Sequence, residues 1–407
     1  VAIGSDQLPD LKAIAGVNIG TVSAGIKTPG RKDLVVFEFP ASASLAAVFT
    51  RNAFCAAPVQ IAKRHIESGA AIRYLLINTG NANAGTGEKG LEDARALCGI
   101  LSETVGVDVE SVLPFSTGVI GEHLPLEKIA VAIPHALNTL RADGWAEAAA
   151  GIMTTDTRPK GASHSFDFEG QRVTVTGIAK GAGMIKPNMA TMLAYIATDA
   201  NVEQGLLQSL FSTVVDRSFN RITVDGDTST NDACILIASG AVGNTVLKNQ
   251  SDLLYQPLFD AVESVCLELA QGLVKDAEGA SKFVSVTVEG GHTEQECLQV
   301  AYTIAESPLV KTALFASDPN WGRVLAAIGR SELESLDVNR IELYIGDVLV
   351  AENGQRALSY TEEQGVAAMA GEEITVRVGL NRGESTTTVW TSDLSHEYVR
   401  INAEYRS

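Results

Sequence analysis

Lys180-Gly181-Ala182-Gly183-Met184-Ile185-Lys186-Pro187-Asn188-Met189-Ala190-Thr191-Met192-Leu193-Ala194-Tyr195-Ile196-Ala197-Thr198-Asp199 joins two kinds of chain. The glycines and Pro187 mark a compact irregular loop, and Met192 to Ala197 is an apolar run of buried-strand length. Thr191 stands where loop meets strand, behind the small Ala190. A strained loop that presses the Thr191 hydroxyl against the Ala190 carbonyl turns the peptide into an ester, which water then cleaves. Thr191 would thereby gain an α-amine with an ordinary pKa of about 7.7–8.0, so that nucleophile and base belong to one residue. The same spacing also fits a threonine that merely opens a strand.

Outward from this stretch, Phe166, Phe168, Val173 and Val175 alternate on either side of Glu169-Gly170 and predict a hairpin. Strands are expected at 33–39, 44–51 and 72–78, and helices at 91–105 and 125–140, with Pro125 in a first turn. A helix over 202–219 precedes strand, polar loop and strand over 222–239. Leu254, Leu258, Val262, Val265, Leu269 and Leu273 predict one buried face of a long helix over 252–277. A strand at 283–289 ends in a glycine break, which sets a domain boundary near residue 285. Beyond it come a helix at 293–306, strands at 340–351, 373–380 and 385–390, and a polar tail. Hairpins mixed with helices argue an α/β fold with antiparallel strands rather than a purely parallel sheet.

The chain has 407 residues, 45% hydrophobic and 20% charged, with a formal net charge of −18. Such an excess of acid repels nucleic acid and anionic membrane, and no apolar run approaches the length of a bilayer span. Five cysteines, never in C-x-x-C, and six scattered histidines point to reduced thiols in the cytoplasm and to neither a disulfide framework nor a zinc site. Gly85-Thr86-Gly87-Glu88-Lys89-Gly90 matches a dinucleotide fingerprint, but Thr79 to Ala84 hold it away from the preceding strand, so it reads as a tight loop. Asp225, Asp227 and Asp232 lack the glycine and glutamate of a calcium loop and read as a turn that organises its own backbone.

Several long stretches resemble, in order, the glutamate N-acetyltransferase (ornithine acetyltransferase) family of arginine biosynthesis. They are Phe54 to Val59, Asn78 to Ala84, Pro114 to Gly121, Met153 to Thr157, the loop 180–199, Ser317 to Gly322 and Asp393 to His396. The resemblance implies a layered α-β-β-α sandwich with an N-terminal-threonine nucleophile over 1–285, and a smaller α/β domain over 286–407 whose tail returns to the site. It implies cleavage between Ala190 and Thr191, and acetyl transfer from N2-acetylornithine to glutamate through an acetyl-Thr191 ester. It assigns Thr117 and Gly118 to the oxyanion hole, and Thr154, Lys180, Thr191, Glu278, Asn402 and Ser407 to substrate. Lys180 is its candidate for the shared α-carboxylate, and Glu278 can pair with a substrate ammonium. Tyr398, Val399, Ile401 and Tyr405 offer apolar surface to anchor the tail.

The same resemblance implies no cofactor, with acetyl-CoA a co-substrate in some members, and an assembly of two 1–190 and two 191–407 fragments. By residue type alone, Ser116-Thr117-Gly118 is also compatible with a turn, Lys180 with a solvated surface, Glu278 with a helix end and Thr154 with a helix cap. Two other functions fit the residues: an aminopeptidase or amidohydrolase, in which water resolves the acyl-enzyme, and a non-catalytic acidic binding protein.

Overall fold

The computed structural model describes residues 3–5, 7–186 and 192–404. In chain order the first part runs β1 (Asn18–Val22), β2 (Leu34–Glu38), β3 (Ser44–Phe49), α1 (Ala57–Glu67), β4 (Tyr74–Asn81), α2 (Gly87–Val105), β5 (Val112–Val119) and α3 (Leu126–Leu137). It continues with α4 (Trp145–Gly151), β6 (Lys160–Phe168), β7 (Gln171–Lys180), β8 (Leu193–Thr198), α5 (Gln204–Arg217), β9 (Ile222–Thr223), β10 (Ala233–Ala238) and α6 (Tyr255–Lys275). The second part is β11 (Phe283–Gly291), α7 (Glu294–Ala305), α8 (Pro308–Phe315), α9 (Trp321–Gly329), β12 (Glu342–Ile345), β13 (Val348–Glu352), β14 (Gln355–Arg356), α10 (Glu362–Met369), β15 (Glu373–Gly379), β16 (Ser385–Ser392) and α11 (His396–Ala403).

Two mixed sheets, ordered β1-β2-β4-β5 and β3-β10-β8-β7-β6, lie face to face. The two-residue period of a strand divides their side chains between layers. Val35, Phe37, Leu75 and Ile77 meet Leu193, Tyr195, Ala197 and Ile235 between the sheets. Leu34, Val36 and Leu76 turn outward onto α2 and α3. Ala194, Ile196, Cys234 and Leu236 turn outward onto α5 and α6. The result is an α-β-β-α sandwich. Its centre holds Phe37, 5.6 Å from Trp145 and 5.5 Å from Tyr195. With helices on one side and a sheet on the other, β8 and β10 are buried throughout, hence their unbroken apolar runs.

The 169–170 hairpin forms as the alternation predicts: Glu169 and Gly170 both take positive φ, and Phe166 pairs with Val173. Three expectations are corrected. Pro125 precedes α3 as its N-cap rather than lying in the first turn. Gly87 to Gly90 belong to the start of α2, because Asn83 binds the Gly90 carbonyl and the Thr86 hydroxyl and closes the loop onto the helix. The tail is not merely polar coil: Ser395 accepts the Tyr398 N–H and starts α11.

A third mixed sheet, ordered β14-β13-β12-β15-β11-β16-β9, has its own core from Val284 to Val389 under α7, α8 and α9. Phe283 still packs into the sandwich core, so the two cores part between adjacent residues. β9 crosses the other way, pairing in parallel with β16 from within the first part of the chain. Among the described residues no helix is long and apolar enough to cross a membrane.

Phe37→Ala should cost about 3–5 kcal/mol, read as a lower urea midpoint, because the inter-sheet layer cannot close over the lost ring. Val399→Ala, at a position 63% exposed, should stay within about 0.5 kcal/mol.

Candidate active site

The ends of β5 and β7 face one another across the two sheets, and this places Thr117 beside Lys180. Lys180 Nζ donates to Thr117 Oγ1 at 3.1 Å. The hydroxyl accepts from the lysine, so its own proton stays available to a further acceptor. Gly118 follows at φ 135°, where a Cβ would lie 2.3 Å from the Gly80 carbonyl carbon and 2.5 Å from the Asn81 nitrogen. Only glycine lets β5 lie this close to β4.

These residues border a cavity of about 290 Å³. Thr154, Glu278, Asn402, Asp232 and Met192 contribute to its walls. Asn402 reaches it from α11, and its Nδ2 donates to Glu278 Oε2 at 2.7 Å. Gly183 makes room for Glu278, since a Cβ there would lie 2.5 Å from Oε2. Thr154 caps no helix; its N–H donates to Asp156 Oδ2 at 2.8 Å in the loop after α4. The tail docks through polar contacts, Tyr398 Oη donating to Asp225 at 3.1 Å and Ser395 to the Gly279 carbonyl at 2.7 Å. Val399, expected among the anchors, points to solvent because α11 buries none of its residues.

Thr117, Gly118, Thr154, Lys180, Glu278 and Asn402 therefore share one cavity. Ala190, Thr191 and Ser407 lie outside the described residues, as does Tyr405. A second cavity of about 200 Å³, bordered by Lys27, Arg31, Asp33 and Ile401, abuts the other side of Gly118 and Thr154.

Behind Lys180 lies a buried charge network that the sequence reading did not single out. Asp156 accepts from Gly181 N–H at 2.7 Å and from Lys160 Nζ at 2.6 Å, and Lys160 also donates to Asp276 at 2.6 Å. Burial alone would raise the Asp156 pKa, but the Lys160 and Lys180 charges outweigh it and hold the carboxyl well below its usual range. Burial lowers the pKa of Lys180, and Asp156 partly offsets this. Asp232 goes the other way: burial drives its pKa well above the carboxylate range. Asp225 accepts the Asp227 N–H of its own turn at 3.3 Å, as the turn reading expects, and also the Met184 and Ile185 N–H groups of the loop after β7 at 2.6 and 2.9 Å.

The ArgJ family model matches residues 18–407. An arginine biosynthesis bifunctional protein ArgJ from Pseudomonas syringae pv. tomato is 58% identical over 407 residues, 100% of both chains. The protein of the same name from Pseudomonas fluorescens is 56% identical over the same extent. A crystal structure of the arginine biosynthesis bifunctional protein from Bacillus halodurans is 38% identical, covering 51% of this chain and 97% of that one, with a TM-score of 0.49.

Asp156→Asn should destabilise the protein by about 3–5 kcal/mol at pH 7, because it strips a partner from buried lysines. The native pKa of Asp156 lies below the ordinary aspartate value of about 3.9, so the native state binds fewer protons. Its contribution is complete above that value and is lost as pH falls through the native pKa. Urea unfolding at a series of pH values should show the difference from wild type shrinking below about pH 4.

Proposed function

This chain belongs to the ArgJ family, and on that premise we propose how its residues carry out an acetyl transfer. The protein is an acetyltransferase of arginine biosynthesis. In our reading the Thr191 hydroxyl attacks the Ala190 carbonyl, the peptide becomes an ester, and water releases fragments 1–190 and 191–407. The freed α-amine of Thr191 then takes the hydroxyl proton as the oxygen attacks the acetyl carbonyl of N2-acetylornithine. Ornithine leaves, and the amine of glutamate attacks the acetyl-Thr191 ester. Donor and product are both amides of an amino acid, so the exchange needs no added energy source and no cofactor. That the relatives are named bifunctional arginine biosynthesis proteins supports acetyl-CoA as a second donor.

Each addition creates an oxyanion, for which the Thr117 hydroxyl and the Gly118 N–H are the donors. The Lys180–Thr117 contact supports this role, since a lysine donating to the hydroxyl oxygen turns its proton outward and strengthens it as a donor. Lys180 holds the α-carboxylate that both substrates share. Glu278, steadied by Asn402, receives a substrate ammonium, while Thr154 and Ser407 complete the contacts. One observation supports the reading most: residues from β5, β7, the α4 loop, the end of α6 and α11 converge on a cavity walled by Met192, which is bonded directly to Thr191. Water as the sole acyl acceptor is not favoured, given relatives at 56–58% identity that are arginine biosynthesis proteins. Two copies of each fragment form the assembly, and five free cysteines, four of them buried, support a cytoplasmic location.

On a denaturing gel the wild type should run as two fragments and Thr191→Ala as one chain. Incubation with N2-acetylornithine should add one acetyl group to the 191–407 fragment of wild type only, by mass spectrometry. Thr117→Ala should lower turnover about 10²–10³-fold with little change in stability. An intact wild-type chain that turns over at full rate without ever carrying acetyl at Thr191 would overturn the reading.

A further inference from the structure

The described carboxyls around the cavity are in three different conditions. Asp156 is saturated by Thr154, Gly181 and Lys160. Glu278 accepts from Asn402. Asp232 borders the cavity with an Oδ2 that has no hydrogen-bond partner among the described residues, although the residue is only 3% exposed. A buried carboxylate oxygen left bare is costly, and the group avoids the cost by keeping its proton. The upward shift from burial prevails over the opposing pull of Ser229 and Lys180.

Strand pairing fixes where this acid sits. The N–H of Ala233, the next residue, donates to the Met192 carbonyl at 3.0 Å, and β10 runs parallel to β8. Asp232 is thus held beside the residue that follows Thr191. Lys180 faces it from β7, with Asp156 behind, and Glu278 acts on the same lysine from the end of α6. Towards β3, Thr50 N–H binds the Asp232 carbonyl, and Lys63 from α1 reaches the Thr50 carbonyl at 3.4 Å. Met192, on the β8 side, carries no titratable group.

The acetyl exchange has a proton requirement that Thr191 alone does not meet. Its hydroxyl proton, passed through its amine, makes the departing ornithine nitrogen a neutral amine. A second proton is needed for that amine to leave as an ammonium. Glutamate arrives as an ammonium and must lose a proton before it attacks. Resting on the transfer reading above, we propose that Asp232 gives its carboxyl proton to the departing ornithine amine and recovers one from the incoming glutamate ammonium. Carboxylic acid plus amine becomes carboxylate plus ammonium, then the reverse, so the cycle balances without drawing on water.

The pH dependence of the second half-reaction, from the cleaved and acetylated enzyme, distinguishes the cases. In wild type, transfer from acetyl-Thr191 to glutamate should vary by less than about threefold between about pH 7.5 and 8.5, because Asp232 takes the ammonium proton. In Asp232→Asn, transfer from acetyl-Thr191 to glutamate should fall at least about tenfold at pH 7 and recover by about tenfold per pH unit as the amine deprotonates. Transfer to hydroxylamine, already neutral at that pH, should stay within about twofold of wild type. A rise of about tenfold per pH unit in wild-type transfer to glutamate overturns the proposal, as does an equal loss with both acceptors. The wild-type measurement decides the matter should the variant not mature. Absence of acetyl on wild-type Thr191 instead brings down the transfer reading, and this proposal with it.

Discussion

A buried ammonium needs buried negative charge beside it, and that requirement organises the cavity. Lys180 ends β7 inside the protein with a hydroxyl as its direct partner, so its charge is balanced from behind. Asp156 supplies the balance, Lys160 lies between Asp156 and Asp276, and Asp276 in turn accepts the Thr157 N–H at 3.1 Å. Two lysines thus face two carboxylates. At such separations each close pair is worth about 4 kcal/mol with an effective dielectric near 20, so moving one member carries a penalty comparable to a core truncation. The end of β7, the loop after α4 and the end of α6 are locked to one another by this network. Thr154 takes its place from Asp156, and Glu278 lies two residues beyond Asp276.

The second part of the chain closes the site in a comparable way. Asp225 binds two N–H groups of the loop that follows Lys180 and also accepts from Tyr398 on α11. One carboxylate therefore couples the start of the loop after β7 with the helix that delivers Asn402. The third sheet underlies this coupling, since β9, just before Asp225, is itself a strand of that sheet.

Long elements were legible in the sequence because their burial has a period. The leucines and valines along α6, the alternation around Glu169-Gly170 and the apolar runs of β8 and β10 all registered. Helices of seven to nine residues, such as α4, α8, α9, α10 and α11, span too few turns for periodicity to emerge. In all of these but α4 the signal is a local cap: Ser307, Asn320, Thr361 and Ser395 each accept an N–H from the first turn. The family resemblance supplied the cavity residues one by one, but not what supports them. Asp156 and Asp276 are charged residues far apart in the chain, and nothing in their neighbours says that they share Lys160. Asp232 offered a fainter sign, an acid directly preceding the apolar run of β10, but beside Asp225 and Asp227 it reads as one more polar turn residue.

The strand order β3-β10-β8-β7-β6 has a topological consequence. A break before Thr191 assigns β3, β6 and β7 to one polypeptide and β8 and β10 to the other, so the second is wedged into the middle of a sheet whose margins belong to the first. Neither piece retains this sheet alone, and pulling them apart means unzipping both seams, β3 from β10 and β7 from β8. Severing the backbone would thus change the chemistry of one terminus while leaving the halves as inseparable as before, bound by interleaving alone.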